Sequence, residues 1–164
     1  RSAQTDALTG VYNKENTQNM IDEILRKKDP DSFHGFLILD MDHFKEVNDV
    51  YGHAMGDKVL EMLGNFLKKQ FREQDVIGRI GGDEFVILLY NIGSRQNMEN
   101  RVKSLQEKIR EIHMDGMEGH TFTLSAGIAF APQDGDTFME LYQKADLALY
   151  QVKRSGRNGY RIYK

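Results

Sequence analysis

Residues 81–85 read Gly-Gly-Asp-Glu-Phe, two glycines and two adjacent carboxylates between apolar runs. Asp75 to Ile80 precede them and Phe85 to Tyr90 follow, so the pentapeptide reads as the tip of a β-hairpin. Glycine lacks a Cβ, takes the positive φ of a tight turn, and lets a bulky group approach the backbone. Adjacent acids at such a tip repel each other unless a cation sits between them. In outline this is a site for a metal ion and a phosphate. A further acid, Asp40, ends the apolar run Phe36-Leu37-Ile38-Leu39, the pattern of a buried strand whose last residue reaches a site. Three carboxylates converging without histidine or cysteine suit a hard cation, Mg²⁺ or Mn²⁺. The competing reading of Asp83 and Glu84 is a solvated turn. For Asp42, capping of a short helix that starts near His43 is the better reading.

Bringing these acids together is the task of the surrounding elements. Residues 16–28 read as a first helix closed by Asp29-Pro30, and 41–56 as a polar stretch with one or two helical turns. A helix over about 57–71 carries Val59, Leu60, Leu63, Phe66 and Leu67 at helical spacing, and another carries Met98, Val102, Leu105, Ile109 and Ile112. Residues 121–131 are strand-like. Phe138, Leu141, Ala145, Leu149 and Val152 mark a last helix, and Tyr160 to Tyr163 an edge strand. From residue 36 the order is β-α-β-β-α-β, then α-β. The hairpin forces antiparallel pairing, so the fold class expected is α+β with a ferredoxin-like βαββαβ core, not a doubly wound parallel sheet. In that layout the first strand lies beside the one after the hairpin, and Asp40 would face Asp83 and Glu84.

With 164 residues the chain is expected to form a single domain, 1–164. Its net charge of −3 argues against a nucleic-acid polymer as partner, because such binders are normally basic. The absence of cysteine excludes disulfides, thiolate zinc sites and cysteine nucleophiles. No apolar stretch approaches the roughly 20 residues of a membrane span, so no membrane contact by this domain and a cytoplasmic location are expected. The opening Arg1-Ser2-Ala3-Gln4, with no initiator methionine, reads as a fragment of a larger protein.

Several blocks in order resemble the GGDEF family of bacterial diguanylate cyclases. They are Asp6 to Gly10, Asp40 to Asp49 (D-x-D-x-F-K-x-x-N-D), Gly52 to Asp57 (G-H-x-x-G-D), Gly81 to Phe85, Ser125 to Gly127 and Lys153 to Asn158. The first block continues Val11-Tyr12-Asn13-Lys14, where leucine and a following arginine are commoner in the family.

The resemblance implies that two GTP molecules condense to cyclic di-GMP and two pyrophosphates across a homodimer of half-sites. The parent would be a multidomain sensor. Asp40, the Met41 carbonyl, Asp83 and Glu84 would form the metal cage, with Asp83 or Glu84 taking the hydroxyl proton. Lys45 would stabilise phosphate with help from backbone amides near Phe44, and Gly82 would leave room for the nucleotide. Asn48 and Asp57 would read guanine, since a carboxylate accepts from N1–H and the 2-amino group together. His53 is open between a place near the base and a structural role. Lys153 and Arg157 match residues that reach the β- and γ-phosphates. Without the family they read as cations at a helix C-terminus, with Gly156 as its cap. Arg72-Glu73-Gln74-Asp75 resembles the R-x-x-D inhibitory product site. A rival from another class is a non-catalytic receptor for cyclic di-GMP or GTP.

Overall fold

Leu37, Leu39 and Met41 alternate with Phe36, Ile38 and Asp40 along one strand, and every one of these residues is buried. A strand that is apolar on both faces needs cover on both. The structure, a computed structural model describing residues 4–164, supplies it with a five-stranded sheet between two helical layers. In chain order the elements are α1 (Lys14–Arg26), β1 (His34–Met41), α2 (Phe44–Tyr51), α3 (His53–Gln70) and β2 (Val76–Gly81). Then come β3 (Glu84–Leu89), α4 (Arg95–Arg110), β4 (Leu124–Ala131), α5 (Phe138–Arg154) and β5 (Gly159–Ile162).

The strand order is β2-β3-β1-β4-β5. The first four strands pair antiparallel as the ferredoxin-like layout requires, and β5 joins β4 in parallel. Leu37, Leu39 and Met41 pack with Val59, Leu63 and Leu67 of α3 and with Met98, Val102 and Ile109 of α4. Phe36 and Ile38 pack with Ile21 of α1 and with Leu141, Ala145 and Leu149 of α5. The approach of α5 to β4 is close: a Cβ at Gly127 would lie 2.0 Å from the Ala145 carbonyl oxygen and 2.6 Å from the Leu149 nitrogen. Among the described residues no helix is long and apolar enough to cross a membrane.

Three local expectations need correcting. The polar stretch at 41–56 holds the eight-residue α2 and the start of α3. Gly52, at φ +90, ends the first helix and opens the second without a loop, so α3 begins at His53 and Asp57 sits in its second turn. The helix after Asp42 has no side-chain cap: His43 occupies that position in the left-handed region, and Asp42 is used elsewhere. Finally, β4 begins at Leu124, three residues later than read, because Phe122 is buried in the core outside the ladder.

Candidate active site

In the β1–β3 ladder Asp40 stands directly opposite Glu84. Opposed residues of an antiparallel pair share one face, so both carboxylates look toward α5. Tyr142 and Lys153 on that helix are eleven residues apart, three turns, and therefore on one side of it. Each meets one acid. Lys153 Nζ lies 2.5 Å from Asp40 Oδ2, and the Tyr142 hydroxyl donates a short hydrogen bond to Glu84. Asp83 occupies the turn between β2 and β3 beside Gly82, which has φ +50. A Cβ at Gly81 or Gly82 would meet nothing within 4 Å, so the space beyond the tip is open to a ligand. Arg79 holds the tip from behind: its Nε donates to the Gly82 carbonyl (2.8 Å), and its Nη1 reaches the Asp6 carboxylate at 3.2 Å.

Asp40, Met41, Phe44, Lys45, Asp83, Lys153 and Arg157 line one cleft of about 280 Å³ with Asp42, His43 and Glu46. A roomier hollow of about 530 Å³ between α5 and β5 has no acid in its lining. Size therefore does not select the site, whereas chemistry does. Asn48 lies about 6 Å further along α2 from Phe44. It packs against Gly56, where a Cβ would fall 1.9 Å from its Oδ1. Asp57 and His53 are exposed on α3 at the same corner, outside the cleft lining. Arg72 and Asp75 stand at the far end of β2, roughly 20 Å from the tip by strand rise. The Asp75 carboxylate is buried and accepts from the Arg72 amide (2.9 Å), the Arg72 guanidinium (3.2 Å) and the Tyr90 amide (2.9 Å).

Burial governs the electrostatics. It pushes the Asp40 carboxyl up to about 6 even though Lys153 pulls the other way. Burial likewise raises Asp83, opposed by its own backbone amide, by Lys153 and by the Met41 amide, and raises Glu84, opposed by the Tyr142 hydroxyl. It works against the Lys153 ammonium too, but Asp40, Asp83 and Glu84 together hold that group above its ordinary value. Asp40 and Asp83, oxygen donors around the shared positive charge of Lys153, have the chemistry that a hard divalent cation takes. Glu84 is turned onto Tyr142, and among the described residues no three acids are gathered closely enough to hold an ion as they stand. Proton and cation would compete for Asp40, so divalent-cation affinity should fall as pH drops through about 6. Affinity flat across that range in calorimetric titration would contradict this.

Asp42 is a hub that local reading misses. It accepts from Thr123 Oγ1 (2.7 Å), Ser125 Oγ (2.5 Å) and the Asn158 amide (2.9 Å). It thereby ties the end of β1 to β4 and to the turn bearing Arg157, which has φ +66. Local sequence discloses neither Tyr142 nor Arg79. Only the helical spacing of Tyr142 to Lys153 could have flagged the first, and nothing local flags the second.

Comparisons with known proteins place the family and the fold. The family described as "Diguanylate cyclase, GGDEF domain" matches residues 3–159. Diguanylate cyclase DgcS of Shewanella oneidensis is 35% identical over 162 residues, which cover 98% of this chain and 53% of that protein. Cyclic di-GMP phosphodiesterase PdeR of Escherichia coli is 32% identical over 161 residues, covering 98% of this chain and 24% of that protein. Among solved structures, the GGDEF domain of TpbB from Pseudomonas aeruginosa superposes with a TM-score of 0.91 at 31% identity, covering 98% of this chain and 94% of that one. The chain thus spans about half, or less, of the curated relatives it matches.

Proposed function

Because the chain belongs to the diguanylate cyclase GGDEF-domain family, we propose that it condenses two GTP molecules into cyclic di-GMP and two pyrophosphates. The observation that carries this reading is the register of Asp40 opposite Glu84, with Asp83 at the adjoining turn and cations around the same cleft. A bound Mg²⁺ or Mn²⁺ would lower the pKa of the attacking hydroxyl and neutralise charge on the leaving group. Asp40, Asp83 and the Met41 carbonyl would hold it, joined by Glu84 once that side chain leaves Tyr142.

The 3′-oxygen of one GTP forms a bond to the α-phosphorus of the other, the bond to pyrophosphate breaks, and the proton passes to Asp83 or Glu84. Lys45, Lys153 and Arg157 bind the triphosphate, the Phe44 amide region helps, and Gly82 leaves the approach open. Each subunit of a homodimer would present one GTP, as the family resemblance implies, so the second GTP comes from another copy of the chain. Activity should then rise more steeply than linearly with protein concentration.

Asn48 and Asp57 are assigned to guanine at the α2–α3 corner, with His53 beside them. Asp57→Ser should cut the preference for GTP over ATP by at least about tenfold, because a site built on paired polar groups discriminates strongly. Unchanged selectivity would remove Asp57 from this role. Arg72 and Asp75 are proposed as a separate product site at which cyclic di-GMP inhibits. Arg72→Ala should keep the early rate and abolish inhibition by added product, and an inhibition curve identical to the parent's would refute it. The competing reading, a domain that binds nucleotide without turnover, draws support from the phosphodiesterase PdeR among the relatives. Against it stands the intact acid set, which a receptor has no need to keep. Incubation with GTP and Mg²⁺ followed by nucleotide chromatography separates the two: cyclic di-GMP formed supports the cyclase, and unchanged GTP at high protein concentration supports the receptor.

A further inference from the structure

We propose that Lys153 is an internal counter-cation which must leave Asp40 before a divalent ion can enter, so that ion and nucleotide bind cooperatively. The inference rests on the cyclase reading and adds a binding order to it. The ammonium sits 2.5 Å from Asp40 Oδ2, and only 9% of the Asp40 side chain is exposed, so Lys153 covers the approach to that oxygen. Two cations on one buried carboxylate repel strongly, and the pair therefore excludes the metal while it lasts.

The partners differ in freedom. Asp40 is fixed on a central strand, whereas Lys153 is 37% exposed on the last turn of α5 and carries a flexible four-carbon stem. Lys153 is the group that moves. It moves only where another anion awaits it, because a half-buried ammonium stripped of its partner is costly. A triphosphate in the same cleft, beside Lys45 and Arg157, is such an anion. Among the described residues the Arg157 guanidinium makes no hydrogen bond and no ion pair within 4 Å, only a longer-range attraction to Glu46, which leaves its donors for phosphate. The other acids agree with a cluster relaxed around a lysine: Glu84 is satisfied by Tyr142 instead of converging on Asp40. By linkage, whatever factor the nucleotide adds to cation affinity, the cation adds to nucleotide affinity.

The test is Mn²⁺ binding followed by electron paramagnetic resonance, on the whole chain, with and without a non-hydrolysable GTP analogue. Measurements at about pH 8 keep Asp40 ionised, above the range to which burial lifts it. The parent should bind Mn²⁺ alone weakly, and the analogue should tighten it by about tenfold or more, a typical coupling. Asp40→Asn supplies the background of metal carried by the nucleotide itself. Lys153→Met should bind Mn²⁺ alone at least about tenfold more tightly than the parent, with little further gain from the analogue. Lys153→Gln, which can still hydrogen-bond Asp40, should fall between and guards against loss of fold. If both variants remain folded by circular dichroism yet bind Mn²⁺ no more tightly than the parent, the counter-cation role is wrong and the cyclase reading stands. If the parent binds no Mn²⁺ above the Asp40→Asn background even with the analogue, the metal site itself fails, and both readings go with it.

Discussion

Asp83→Asn should lower cyclic di-GMP formation by at least about 10³-fold, equivalent to ~4 kcal/mol of transition-state stabilisation at 1.36 kcal/mol per decade. The substitution keeps the size of the side chain and removes its charge. In the proposed reaction that charge, with Asp40, would hold a divalent cation that activates the attacking hydroxyl and neutralises charge on the leaving pyrophosphate. The Asp83 carboxylate accepts from its own backbone amide and from that of Met41, and asparagine keeps an acceptor oxygen for both, so the fold should be unaffected. Chromatographic assay of the dinucleotide, with circular dichroism as a control, checks both halves. A folded variant with a rate within a few-fold of the parent would remove Asp83 from the chemistry.

Asp42→Ala should have the largest effect on stability, about 3 kcal/mol, for a reason that lies in packing and not in catalysis. Three donors lose a charged acceptor at once, and one of them, the Ser125 hydroxyl, is fully buried. A buried donor left without an acceptor is penalised by its whole desolvation cost. For a domain of this size the loss corresponds to roughly 10 °C in midpoint temperature. Because the same carboxylate fixes the turn carrying Arg157, nucleotide affinity should weaken as well. Thermal unfolding that moves by less than about 2 °C would show the hub to be dispensable.

The parts of this site that local sequence discloses are those whose signal is compositional. Asp40 is an acid at the end of an apolar run, and the Gly-Gly-Asp-Glu tip interrupts two strands. The parity of an antiparallel ladder then carries Asp40 to Glu84, and the observed register agrees. Asp42 resisted the same approach because its partners lie up to 116 residues away, and a helix cap was the nearest local explanation. Lys153 read naturally as a cation at a helix C-terminus, since an ion pair with a strand 113 residues earlier leaves no local trace. α3 starts earlier than the apolar spacing from 57 onward suggests, because Gly52 ends α2 and opens α3 with no polar loop to announce either.

The most direct test of the central claim, that acids at the end of β1 and in the β2–β3 turn hold the ion activating a GTP hydroxyl, is anomalous diffraction from crystals of the chain with Mn²⁺ and a non-hydrolysable GTP analogue. The account predicts a manganese peak within coordination distance of Asp40 and Asp83, between their carboxylates and the triphosphate, with Lys153 turned to phosphate. Nucleotide bound in the cleft with no manganese at either acid would contradict it.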